Sequence, residues 1–193
     1  MYLAAMTDHM ARSDTFFLRA TVQANVTTEE RQETEIDLGA YVNLGLKQST
    51  LLRVHSVQQQ IRDNQGLVPT IDGASGAGVH RYAFCNSAIT TKKYIDAADP
   101  KSMPLLSDDS TMYTCAVIGE NANTDVDNGV YSHDTDIAPQ HMMAGYLVGV
   151  DSLYLYVAAD DAFAEAVFVD VILECSLESA TQSNAVALAL SQQ

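Results

Sequence analysis

Over long stretches of this chain apolar and polar residues take turns. A period of two is the mark of a β-strand that is dry on one side and wet on the other. In residues 16–26, Phe16, Leu18, Ala20, Val22, Ala24 and Val26 share one face, while Phe17, Arg19, Thr21, Gln23 and Asn25 share the other. Residues 34–44 repeat the pattern with Ile36, Leu38, Ala40, Val42 and Leu44 inward. The strongest pair lies at 147–158 and 166–177, where Val167, Val169, Val171, Leu173 and Cys175 define one face of the second run. The short acidic link between them, 159–165, reads as the turn of a hairpin. Further strands are predicted at 51–61, which begins apolar and ends in Gln58-Gln59-Gln60, and at 79–89 and 112–119, rich in Tyr, Phe, Val and Ile. Residues 63–78, with Gly66, Pro69, Gly73, Gly76 and Gly78, and 96–110, with Pro100 and Pro104, read as loops. Residues 120–140 are polar with no sustained period. Only the tail changes character: 178–193 is rich in Ala and Leu, lacks Gly and Pro, and favours a helix capped by Ser176 or Ser179. Its apolar residues crowd toward the end, so it is expected to dock on its own barrel or on a neighbour.

About eight such strands, with no helices alternating between them, exclude a parallel α/β sheet and point to an antiparallel sandwich or barrel. The chain has no Trp, so the Cys-Trp-Cys arrangement of an immunoglobulin domain is missing. The expected fold is all-β: a single jelly-roll β-barrel or sandwich of about eight antiparallel strands with a short C-terminal helix. It forms one domain over 1–193, divided into an N-terminal arm (1–14), a barrel (16–177) and a helical tail (178–193).

Charge decides what such a barrel can meet. The 193 residues hold 25 Asp and Glu against 10 Lys and Arg, a formal net charge of -15. Such a surface repels itself in dilute buffer and is tolerated when salt shortens the Debye length, so adaptation to concentrated salt is expected. Nucleic acid and anionic membranes need clustered Lys and Arg, and the only basic doublet is Lys92-Lys93, which argues against both. No apolar run reaches the ~18 residues that would span a bilayer. Residues 1–13 carry Asp8 and His9 where a signal peptide needs a basic and then an apolar region. The three cysteines, Cys85, Cys115 and Cys175, each fall in an apolar strand-like run and read as small core residues, although a disulfide stays open.

Catalytic motifs are absent. None of the five histidines (His9, His55, His80, His133, His141) stands in an H-x-H pair of the cupin kind, and there is no G-x-S-x-G or H-E-x-x-H. The segment Gly73-Ala74-Ser75-Gly76-Ala77-Gly78 leads into no helix and ends in no Lys, so it fails as a phosphate loop. One cluster is dense in oxygen ligands: Asn121, Asn123, Asp125, Asp127, Asn128, then Asp134 and Asp136. Of these, Asn123, Asp125, Asp127 and Asp134 are the candidate ligands of a Ca²⁺ or Mg²⁺ ion. Gly129 falls one place late for an EF-hand loop and no Glu closes the site, so a solvated acidic loop is the plainer account. No cofactor and no small-molecule substrate are expected.

The last third of the chain resembles a known family. Gly149-Val150-Asp151-Ser152-Leu153-Tyr154-Leu155-Tyr156-Val157 leads through the acidic link into Ala166-Val167-Phe168-Val169-Asp170-Val171-Ile172-Leu173-Glu174, followed by Ser176-Leu177-Glu178-Ser179-Ala180 and the Ala/Leu tail. This looks like the end of the single-jelly-roll major capsid proteins of icosahedral viruses with an internal membrane, which infect halophilic archaea and thermophilic bacteria. The resemblance implies a non-enzymatic virion protein, assembled in the host cytoplasm. In that family, upright jelly rolls form pseudo-hexagonal capsomers, usually from two related proteins, over a membrane that they do not enter. The arm 1–14 and the tail 178–193 would then interlock with neighbours. Two other readings compete with a coat subunit. One is a lectin-like or receptor-binding jelly-roll module assisted by Ca²⁺; the other is a cupin-like enzyme.

Overall fold

The computed structural model describes residues 14–45, 48–72, 81–94, 99–121 and 130–192. Among the described residues, nine strands form two antiparallel sheets. They are β1 (Phe16–Gln23), β2 (Gln32–Asp37), β3 (Gln48–Arg62), β4 (Arg81–Thr90), β5 (Thr111–Asn121), β6 (Val130–Ile137), β7 (Tyr146–Val148), β8 (Ser152–Ala159) and β9 (Phe168–Thr181). A helix, α1 (Gln182–Ser191), follows β9. The first sheet runs in the order β1-β9-β3-β7 and the second in the order β2-β8-β4-β5-β6. Apart from the β4-β5-β6 meander, every connection carries the chain from one sheet to the other. With β6 set aside as an added edge strand, β1-β9-β3-β7 facing β2-β8-β4-β5 is the interleaved Greek-key order of a jelly roll.

The period-two pattern explains the filling. In β1 and β9 the inward residues Leu18, Ala20 and Val22 stand opposite Leu173, Val171 and Val169. From the second sheet, Ile36, Cys85, Ile89, Val117, Leu153, Leu155 and Val157 enter the same apolar cluster. All three cysteines are free and buried, as small core residues should be. Burial pushes the Cys85 and Cys175 thiols up to about 12, which leaves them inert at neutral pH. An irregularity in β3 between Val54 and Ser56 inserts His55 and keeps Leu52 and Val54 below it, and Val57 and Ile61 above it, in the core. Gln59 also points inward, where its Oε1 accepts from the Ser87 and Tyr113 hydroxyls and ties β3 to β4 and β5 across the sandwich.

The predicted elements needed five corrections. The second strand stops at Asp37 instead of running to 44, because the Asp37 carboxylate accepts from Gly39 N at 2.8 Å and turns the chain. Leu38 and Val42 stay buried in that turn, while Ala40 is exposed. The run 147–158 is two strands, β7 in the first sheet and β8 in the second, broken at Gly149, where a side chain would press on Leu188 and Ala189 of α1. Consequently 147–158 and 166–177 are not a hairpin: β8 pairs with β2 and β4, and β9 pairs with β1 and β3. Within 120–140 lies β6, an edge strand whose middle residues, 132–136, are all polar and therefore show no apolar rhythm. Finally, β9 continues to Thr181, so barrel gives way to helix at 181/182, and Thr181 precedes the helix in place of Ser176 or Ser179. Pairing of Glu178 with Leu51 and of Ala180 with Ser49 overrides the helix propensity of those residues. The arm falls almost entirely outside the described residues.

α1 docks on its own barrel, against β3 and β9. Beneath it Leu51 is buried on the sheet face opposite the core, and the Glu178 side chain, fully buried, takes both guanidinium branches of Arg53, one of them at 2.8 Å. Arg53 also donates to Ala144 O at 2.6 Å. Gln192 finishes the contact: its amide donates to Leu147 O at 2.7 Å and accepts from Gly149 N at 2.8 Å. Among the described residues no helix is long and apolar enough to cross a membrane.

Candidate assembly surface

Of the four proposed metal ligands only Asp134 lies among the described residues. Asn123, Asp125 and Asp127 lie outside them, and Asp134 sits exposed on β6 opposite Ala116 of β5. Among the described residues no three His, Cys, Asp or Glu side chains gather as metal ligands do. His55 shares a 2.8 Å hydrogen bond with the Ser176 hydroxyl, His133 is exposed on β6, and His141 ends a short 3-10 turn. The described residues thus gather no such group, and the outward faces of the two sheets are taken as the candidate site.

On the first sheet, β1, β9 and β3 present four cross-strand rows: Phe17-Glu174-Ser56, Arg19-Ile172-Gln58, Thr21-Asp170-Gln60 and Gln23-Phe168-Arg62. Arg19 and Arg62 balance Asp170 and Glu174, so the face is formally neutral. Its charges are also held. Asp170 accepts from Thr21 Oγ1 at 2.6 Å and from both branches of Arg62, whose guanidinium covers the Phe168 ring at 4.8 Å. Partial burial would raise the Asp170 carboxyl, but the Arg62 and Thr21 hydrogen bonds outweigh it and hold the group below its usual range. Arg19 lies over Phe17 at 5.8 Å.

The second sheet carries Glu33, Glu35, Asp37, Glu120, Asp134 and Asp136 outward, with no cation on the outward positions of its described strands. One half of this face is covered. Tyr156 points outward and is nevertheless fully buried, because its hydroxyl accepts from Tyr94 N at 2.7 Å. The Arg31 guanidinium stacks 4.9 Å from the Tyr94 ring and 5.6 Å from that of Tyr156, and it donates to Ser102 O. Lys93 reaches down to Glu33. The other half is open, and large apolar side chains stand exposed among its carboxylates. Tyr82 is 50% exposed, Phe84 45% and Ile118 37%, and the strip continues to Leu105 and Leu106, 62% and 53% exposed. These two leucines rim a groove of about 350 Å³ floored by Asn86, Ala88 and Ala116. Asp136 lines the same groove, so apolar side chains and a carboxylate share it.

Sequence reading placed Phe84 in a strand but could not show that it pointed outward. The signal was present: Tyr82, Phe84 and Asn86 alternate with Ala83, Cys85 and Ser87, and the larger aromatics occupy the wet phase.

No protein-family model matches the chain, and no curated protein matches it. Among solved structures, the chain is similar to VP1 of Trichodysplasia spinulosa-associated polyomavirus in complex with sialylated precision glycooligomers. The identity is 10%, covering 85% of this chain and 95% of that one, with a TM-score of 0.44. It is also similar to apo New Jersey polyomavirus VP1, at 9% identity over 86% and 98% of the two chains, with a TM-score of 0.38. The Merkel cell polyomavirus virus-like particle gives 9% identity, 86% and 74% coverage and a TM-score of 0.37. These likenesses are loose, and the strand order alone identifies the jelly roll.

Proposed function

We propose that the protein is a structural coat subunit, a jelly roll of an icosahedral viral shell that assembles with copies of itself and with a second related capsid protein into pseudo-hexagonal capsomers. The observation that carries the reading is the open strip Tyr82, Phe84, Ile118, Leu105 and Leu106 on the flank of a jelly roll. Apolar area on a flank suits side-by-side packing, and the ~25 cal/mol gained per Å² buried offsets repulsion between acidic subunits once salt screens it. The resemblance of the last third of the chain to internal-membrane virus capsid proteins supports the same reading. In it the protein resides in the virion, assembles in the host cytoplasm, overlies a membrane without entering it, and needs no catalysis.

Light-scattering molar mass after gel filtration, in molar salt and in dilute buffer, tests this. Discrete trimers, hexamers or larger species in salt, lost in dilute buffer, are the expected result. A monomer in both, even with the partner capsid protein added, sinks it.

The groove beside Leu105 and Leu106 favours a second reading, a glycan- or receptor-binding module. A Ca²⁺ or Mg²⁺ ion on Asn123, Asp125, Asp127 and Asp134 belongs to that reading. It requires a small oligomer whose glycan affinity and melting temperature both fall on chelation.

A further inference from the structure

The last strand of a sheet shows unpaired N–H and C=O groups that another chain can take up, and proteins guard such edges with charge, short strands or a cover. β6 ends the second sheet with Asp134 and Asp136, a charged edge. β7, at the edge of the first sheet, has three residues and pairs with Leu52, Arg53 and Val54 of β3. Beyond Val54, no strand among the described residues lies on that side of β3. The stretch left without one, Ser56-Val57-Gln58-Gln59-Gln60-Ile61, has no charge, no Gly and no Pro. Three glutamines between two β-branched residues are a composition that pairs edge to edge.

One side chain stands in the way. Gln140 Oε1 accepts from Val57 N at 3.0 Å, and Gln140 Nε2 donates to Val57 O at 3.1 Å. Exchanging both bonds with a single residue is what the partner in an antiparallel ladder does. Since both backbone groups of Val57 turn toward Gln140, those of Gln59 and Ile61 face the same edge. Gln140 is itself exposed, but its turn, Pro139–His141, is anchored by buried Ala138 and Pro139 and closed by His141 N donating to Ala138 O at 2.9 Å. Gln192 treats the β7 edge alike, at Leu147 O and Gly149 N.

We infer that Gln140 is an autoinhibitory plug on a strand-addition site, and that the strand it keeps out is the same segment, 56–61, of a second copy. Two such segments pair antiparallel about a two-fold axis, each offering the other an uncharged edge. The inference goes beyond the coat-subunit reading and does not depend on it.

Gln58→Cys, outward on β3, reports the contact, alone and combined with Gln140→Ala. Both proteins are held in molar salt, which screens the acidic surfaces, and treated with a short bismaleimide; the native cysteines are buried. Linked dimers are expected to form about tenfold faster with Gln140→Ala, because two hydrogen bonds no longer compete with the second copy. The Gln59 and Ile61 amides should gain protection from hydrogen exchange in the same sample. Gln140→Glu loses the bond to Val57 O but charges the edge, and is expected to link no faster than the chain with Gln140. Should Gln140→Ala misfold, Gln140→Met keeps the length, loses both bonds and should show the same gain. Equal linking rates with and without Gln140 would overturn the inference, as would a lower melting temperature with no gain in links. An equal gain with Gln140→Glu would overturn it too, by placing the contact elsewhere. The coat reading is tested separately, by association of the wild-type chain.

Discussion

The two sheets share one backbone rhythm and treat their outer faces differently. On the first sheet, Asp170 is held by Arg62 and Thr21, and the tail end is roofed by α1 over the buried Arg53–Glu178 pair. On the second sheet, carboxylates stand without strand cations, half the face is closed by Arg31, Tyr94 and Tyr156, and the other half is left open. The first face is built for stability within one subunit. The second keeps Phe84, Ile118, Leu105 and Leu106 exposed.

The comparison breaks most readily at Glu178. Replacing it by Ala leaves Arg53, 11% exposed at its side chain, without its anion under α1, and about 3 kcal/mol or more should be lost in urea unfolding. A loss below about 1 kcal/mol would mean that water reaches Arg53 freely and that the roof is loose. On the covered half of the second sheet, Tyr156→Phe removes the acceptor of Tyr94 N and should cost about 1 kcal/mol. An unchanged melting temperature would show that the cover contributes little.

Asp170→Asn should cost less, about 0.5 kcal/mol, since the pair is partly exposed. Its pH dependence is diagnostic. The folded carboxyl is held below the ordinary value of about 3.9, so its stabilising contribution is complete above that pH and disappears as pH falls through the lower, folded value. The difference between wild type and Asp170→Asn should therefore close in acid; a gap that persists there would assign the effect to packing. The smallest stability change belongs to the open strip. Phe84→Ser should cost no more than about 0.5 kcal/mol of stability while lowering the assembled fraction in molar salt. If the monomer were clearly destabilised, Phe84 would be part of its own subunit's packing.

Much of this was legible in the residues. Period-two runs located β1 and β9, residue type located β3, β4 and β5, and the apolar runs around them named the three cysteines as small core residues. β6 was invisible because an edge strand lacks the apolar face that makes a strand readable. The supposed hairpin at 159–165 failed for a different reason: alternation says that a segment is a strand and which side is dry, but nothing about its partner. The tail was misjudged at Glu178, whose place in β9 is fixed by Leu51 and Arg53, more than a hundred residues away in the chain.

By itself, then, the sequence determined the all-β class, the dry faces and the acidic surface, because these follow from local pattern and summed charge. Strand order, the roof of α1 over Arg53 and Glu178, and the grouping of Phe84, Ile118, Leu105 and Leu106 into one strip were decided only in three dimensions. Each of these joins segments far apart in the chain. Their association depends on which surfaces fit when the whole barrel closes, a global constraint that no local run of residues encodes.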